Sequence, residues 1–166
     1  VICWDVETGQ KTVIRPKWNR TTTVDVQDTY SKRHKKAKKI QCHNGEVLSV
    51  AVSHDNKYVV CGGRDNILSV YDTRMQSQIK ELSGHRDAIT SLVFKNNSYT
   101  LYSGSLDRCI KHWDLSEMGY IETLFGHQDG INCLDCHVDN KPISGSSDHT
   151  VRLWRINEES HLVYRG

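Results

Sequence analysis

The stretch SGSLDRCIKHWD, residues 103–114, decides the fold, because its features return at 61–72 as CGGRDNILSVYD and at 144–155 as SGSSDHTVRLWR. All three copies place Asp fifth and Trp or Tyr eleventh. Asp65, Asp107 and Asp148 are 42 and 41 residues apart, and so are Tyr71, Trp113 and Trp154. Upstream of each copy stands a histidine: Cys42-His43, Gly84-His85 and Gly126-His127. A period of this length marks a repeat architecture, in which each unit buries its apolar faces only against its neighbours.

Within one period, four short extended runs alternate with turn residues. Ile89–Lys95, Tyr99–Ser103, Cys109–Asp114 and Tyr120–Leu124 are separated by KNNS, GSLDR and LSEMG. Runs this short, broken by polar and glycine-rich turns, predict hairpin-linked antiparallel strands. The chain is therefore expected to be all-β.

Four-stranded units of about 40–45 residues resemble WD40 repeats, the blades of a β-propeller. The resemblance implies a buried hydrogen-bonded chain in each blade, built here from His85, Ser103, Asp107 and Trp113, and again from His127, Ser144, Asp148 and Trp154. The chemistry is consistent: an imidazole bridges a carboxylate and a hydroxyl, and an indole N–H needs an acceptor. The first complete repeat carries His43, Cys61, Asp65 and Tyr71 at these positions, so its chain is expected to be weaker. Read as catalytic triplets, the same residues would need one exposed copy beside an oxyanion site. Nothing in the sequence singles one out, so no catalytic residue is assigned.

VICWDVETG at 1–9 reads as the third strand of a blade, and Gly166 falls where the next Gly-His would begin. Residues 1–166 are thus expected to form a partial propeller of three complete repeats and half a blade, within a seven-bladed ring by family resemblance.

Charge is unevenly spread. The net charge is +2, yet Arg15 to Gln41 holds nine Lys/Arg against Asp25 and Asp28, leaving a net −5 for the remainder. Residues 16–42 form a basic insertion between blades, where the other joins are only two or three residues long. SKRHKKAKK presents Lys32, Arg33, Lys35, Lys36, Lys38 and Lys39, with Trp18 and Tyr30 upstream. Dense Lys/Arg neutralises phosphates, and aromatic rings stack on unpaired bases. The six basic residues are therefore candidate RNA contacts. A nuclear localisation signal and a solvated run without a partner share this composition.

Other signals count against cofactors and membranes. CLDCH at 133–137 matches the pattern of haem attachment, but positions i and i+3 of a regular strand point to opposite faces, so Cys133 and Cys136 are poorly placed to grip one metal or haem. They are read as buried, reduced thiols. The histidines show no zinc-finger spacing, and no phosphate-binding glycine loop is present. No apolar run approaches membrane-spanning length and no signal peptide is visible. No cofactor, metal, membrane or small-molecule substrate is expected.

ELSGHRDAITSLVF at 81–94, GYIETLFGHQDGINCLD at 119–135 and EESHLVYRG at 158–166 resemble the WD-repeat subunits of the U3 small nucleolar ribonucleoprotein. That resemblance implies a non-enzymatic scaffold in the nucleolus, active in processing of the small-subunit ribosomal RNA precursor. Its implied partners are U3 small nucleolar RNA, the box C/D core proteins and other processome proteins. A competing reading comes from VYDTR at 70–74, which resembles the W/Y-D-x-R signature by which WD40 substrate receptors dock onto cullin-RING ubiquitin ligases.

Overall fold

The computed structural model describes residues 2–4, 11–15, 40–41, 43–75, 77–136, 141–156 and 160–165, and of 2–4, 11–15, 40–41 and 160–165 only the backbone. Among the described residues the chain is all-β. The first complete blade contains β4 (Val47–Val52), β5 (Tyr58–Gly63), β6 (Ile67–Asp72) and β7 (Ser77–Ser83). The second contains β8 (Ile89–Phe94), β9 (Thr100–Ser105), β10 (Ile110–Asp114) and β11 (Gly119–Leu124). The third contains β12 (Ile131–Cys136), β13 (Pro142–Ser146), β14 (Thr150–Arg155) and β15 (Ser160–Arg165). Each is a four-stranded sheet in chain order, antiparallel throughout. The expected strand boundaries move by no more than two residues.

The half blade precedes them as β1 (Ile2–Trp4), β2 (Lys11–Arg15) and β3 (Ile40–Gln41). β1 and β2 form an antiparallel hairpin, with Ile2 opposite Val13. β3 then runs parallel to β2, pairing Ile14 with Ile40 and Arg15 with Gln41. The last residues of the 16–42 stretch thus return to the edge of β2 before the chain enters β4. An otherwise unpaired strand edge offers backbone donors and acceptors that such a segment satisfies.

Blades pack inner strand against inner strand, with β8 between β4 and β12. The first interface buries Val60, Leu68 and Val70 of one blade against Ile89, Leu92, Leu101 and Trp113 of the next. The second buries Tyr102 and Ile110 against Ile131 and Trp154. Glycine is required where the sheets meet: a Cβ on Gly62 would lie 2.7 Å from Ile89 Cγ2, and one on Gly104 would lie 2.7 Å from Ile131 Cγ2. Hydrogen bonds add to the second seam, where Leu134 N–H donates to Ser91 Oγ at 2.9 Å and Thr90 Oγ1 to the Ile131 carbonyl.

Among the described residues, equivalent positions of the repeats also differ in exposure. Leu92 is 7% exposed at the blade junction, but its counterpart Val50 on β4 is 46% exposed, beside Leu48 and Val52. At the other end Ile110 is fully buried while its counterpart Val151 is 45% exposed. Val50 and Val151, at the two ends of the three blades, are thus apolar and exposed where their equivalents between blades are core. Burying them removes apolar area from water at about 25 cal/mol per Å², so residues 1–166 alone are expected to self-associate. Light scattering on purified 1–166 should give a mass above that of the monomer, falling when Val50→Lys and Val52→Lys are introduced together. A folded monomer at all concentrations would contradict this.

Candidate functional site

The turn between the second and third strands of each blade closes on the Asp of the repeat, and the crossover from the preceding blade brings a His down onto it. In the second blade Trp113 Nε1–H donates to Ser103 Oγ at 2.8 Å. Ser103 Oγ lies 2.7 Å from His85 Nε2, and His85 Nδ1 lies 2.8 Å from Asp107 Oδ2. Asp107 also accepts from the backbone N–H of Arg86 at 2.9 Å and of Cys109 at 3.0 Å. One proton arrangement satisfies every atom: indole to hydroxyl, hydroxyl to Nε2, and Nδ1–H to carboxylate.

The third blade repeats this arrangement. Trp154 Nε1–H donates to Ser144 Oγ at 2.8 Å, Ser144 Oγ lies 2.6 Å from His127 Nε2, and His127 Nδ1 lies 2.8 Å from Asp148 Oδ2. Thr150 adds two further bonds to Asp148, through its N–H at 3.0 Å and its hydroxyl at 2.6 Å. The first complete blade differs. His43 Nδ1 faces both oxygens of Asp65 at 2.8 Å, but Nε2 meets the backbone carbonyl of Cys61 at 3.1 Å. Both of these partners only accept, whereas in the sister blades Nε2 faces a serine hydroxyl, which can also donate.

The order Ser–His–Asp is also that of a hydrolytic triad, but the environment removes its chemistry. Ser103 and Ser144 are fully buried, and each already accepts an indole N–H. No substrate carbonyl can reach either oxygen. These triplets hold strands and crossover together and do not form a nucleophilic site.

Burial alone would raise the Asp107 carboxyl above its ordinary 3.8, but the bonds from His85, Arg86 and Cys109 outweigh it and lower the group to about 2. Asp148 is likewise held well below its ordinary value, burial again opposing its bonds from Thr150, Gln128 and His127.

Lys32, Arg33, Lys35, Lys36, Lys38 and Lys39 lie outside the described residues. Cys61 is buried, but Cys133 is exposed and Cys136 half-buried, which corrects the expectation of two buried thiols. A register shift between Ile131 and Cys133 breaks the regular alternation there, and the sulfur of Cys133 lies against Gly145. Among the described residues no cluster of His, Cys, Asp and Glu could hold a metal ion. In VYDTR, Tyr71 and Asp72 are buried, and Asp72 Oδ1 accepts from the N–H of Arg74 at 2.7 Å and of Met75 at 3.0 Å. The turn thus engages Asp72, and of the motif's charged residues Arg74 is the exposed one.

The repeat pattern missed a cross-blade contact. Tyr99 donates its hydroxyl to Asp55 Oδ2 at 2.7 Å, while Ser53 donates to Oδ1 at 2.6 Å. Asp55 and Tyr99 occupy non-equivalent positions of successive repeats, so the period carries no sign of the pair.

With three such blades in register, the molecule is a propeller segment made of WD repeats. The family model "WD domain, G-beta repeat" matches residues 34–72, 76–114 and 119–155, and the chain belongs to the WD40 family. A search of the curated proteins gave no match. The fold is shared by 1134 solved chains, so shape alone selects no function. One similar structure, "Structure of U3-55K", is 33% identical with a TM-score of 0.79 and covers 99% of this chain. Another, "Crystal structure of RRP9 WD40 repeats", is 39% identical with a TM-score of 0.72 and covers 75%. The chain spans 45% and 38% of their respective lengths.

The buried chains are expected to carry stability and not activity. Trp113→Ala or Asp107→Asn in the full-length protein should each cost about 1–5 kcal/mol, seen as a lower melting temperature. Because the folded pKa of Asp107 is depressed, its contribution is present above the ordinary value of 3.8 and is lost as pH falls towards about 2. Melting temperatures measured from pH 5 to pH 2 should therefore fall more steeply for the wild type than for Asp107→Asn. Unchanged melting with lost function would contradict the structural role.

Proposed function

We propose that this protein is a non-enzymatic scaffold of the U3 small nucleolar ribonucleoprotein, binding U3 small nucleolar RNA and assembly proteins in the nucleolus. The observation that carries the reading is the 33% identity to U3-55K across 99% of this chain. A likeness extending over the whole described fold, at a level well above that of shape alone, favours a shared role over a generic propeller. The box C/D core proteins and other processome proteins are the partners this reading implies. Its place is early processing of the small-subunit ribosomal RNA precursor.

The basic run fits the same reading. Lys32, Arg33, Lys35, Lys36, Lys38 and Lys39 supply six positive charges within eight positions. Phosphate neutralisation releases counterions, which gives RNA affinity a characteristic salt dependence.

Replacing these six residues with Gln in the full-length protein should weaken binding to U3 RNA and flatten its salt dependence. For single strands the slope is about 0.7 per phosphate neutralised, so three lost contacts change it by about 2. The melting temperature should hardly move. Normal binding by the purified variant, combined with failure to concentrate in nucleoli, would assign the run to localisation alone. An unchanged slope would refute its RNA role.

A further inference from the structure

Each complete repeat builds nearly the same backbone, so each serves as a control for the others. On either side of the turn Asp stand Arg64 and Asn66 in the first blade, Leu106 and Arg108 in the second, and Ser147 and His149 in the third. Just before the crossover Gly-His lies Ser83 in one case and Phe125 in the next; just after the His lie Asn44, Arg86 and Gln128. Only the tip of the second blade combines Phe, Leu and two Arg. The fold does not ask for them. Phe125 is 71% exposed and Leu106 is 43% exposed. Arg108 holds a φ of 71°, a left-handed conformation that Asn, the residue at 66, adopts more readily.

The four residues lie at one end of the second blade, around the turn between β9 and β10. The ladder between β10 and β11 ends at Ile110 opposite Leu124, so Phe125 follows directly beyond it, at the same end of the blade as the turn that carries Leu106 and Arg108. Arg86 is fixed over the same turn by its N–H bond to Asp107. Leu106 N–H donates to the Ala88 carbonyl at 3.0 Å, and its side chain reaches the third blade, where a Cβ on Gly130 would lie 2.8 Å from Leu106 Cδ2. Both guanidinium groups act electrostatically on the Cys109 thiol. Among the described residues neither has a carboxylate within ion-pairing distance.

The charge around these turns is mixed, with Lys111 adding a third cation near Cys109. Asp87 and Asp129 are exposed there, and Asp107 is committed to His85. A polyanion gains little from such a balance. An exposed aromatic ring, a Leu and two unpaired Arg instead match the composition of a protein-binding hot spot. We propose that Phe125, Leu106, Arg86 and Arg108 form a docking surface for a protein segment with an apolar anchor flanked by carboxylates. The anchor packs on Phe125 and Leu106, and the guanidinium groups bind the carboxylates in their two-pronged geometry.

The test uses full-length protein in cells, with photoreactive p-benzoylphenylalanine replacing Phe125 and, as a control, replacing Ser83. Adducts are sequenced with and without ribonuclease treatment, and the captured segment is synthesised as a labelled peptide. The peptide is then titrated against wild type and against Leu106→Ser/Arg108→Asn/Phe125→Ser, which installs residues found in the sister repeats. The expected result is a ribonuclease-resistant adduct at 125 absent at 83, a peptide bearing apolar and acidic residues, and roughly tenfold or greater loss of affinity in the variant. Melting temperature and the salt dependence of RNA binding should stay unchanged, which separates this surface from the basic run. If the triple variant melts lower, Phe125→Ser alone carries the comparison. An adduct to RNA, no adduct above the control, a peptide lacking carboxylates, or equal affinity for the variant would each overturn the proposal.

Discussion

The bond between the crossover His and the turn Asp is the constraint on which each blade depends. It joins segments about 20 residues apart in sequence: His85 with Asp107, His127 with Asp148, and His43 with Asp65. Through Ser103 the same His is tied to Trp113, so one buried chain fixes the crossover, the second strand and the third. A buried polar chain of this kind is stabilising only when complete, since a missing member leaves another unsatisfied in a medium of low dielectric. That condition explains why Ser, Asp and Trp recur together and not singly. It also bears on the altered first blade: with Cys61 in place of Ser, His43 Nε2 meets a backbone carbonyl instead of a hydroxyl.

Blades so closed still have two apolar faces each. Gly62 and Gly104 let the isoleucine of the next inner strand sit directly on the sheet, so successive blades approach closely enough to exclude water. The hydrogen-bonded chain sets the shape of one unit, and the glycine-to-isoleucine contact sets the step to the next. Stability then accumulates through nearest-neighbour interfaces. Val50 and Val151 show the consequence, being exposed where their counterparts are core.

Much of this was legible in the sequence because a repeat is read three times. Asp65, Asp107 and Asp148 fixed the period, and the strands followed from the turns around them. What escaped was whatever the repeats do not share. The Tyr99–Asp55 contact joins unlike positions, so periodicity cannot reveal it. The pairing of Ile40 with Ile14 is parallel and spans a long connection, and two residues carry too short a pattern to announce a strand. Cys133 was misread because the bulge after Ile131 breaks the alternation on which strand-face reasoning relies. The tip of the second blade went unread for a different reason. Phe125 and Arg108 look ordinary in isolation, and become informative only when set against Ser83 and Asn66.

That contrast bears on how a propeller acquires partners. In each turn the Asp side chain faces inward to the His, while the residues beside it face solvent. Inward positions are held by the hydrogen-bonded chain and tolerate little change. Outward positions contribute few buried contacts, so substitution there alters what the surface recognises at small cost to the core. Recognition and stability are thus carried by neighbouring residues of one turn, separated by the direction in which their side chains point. A partner held at such a tip needs no rearrangement of the blade beneath it, because the buried chain already fixes the backbone that presents Arg86 and Arg108. Rigid presentation lowers the ordering cost of association. Three such tips, each free to diverge, let neighbouring blades present different surfaces on nearly the same backbone.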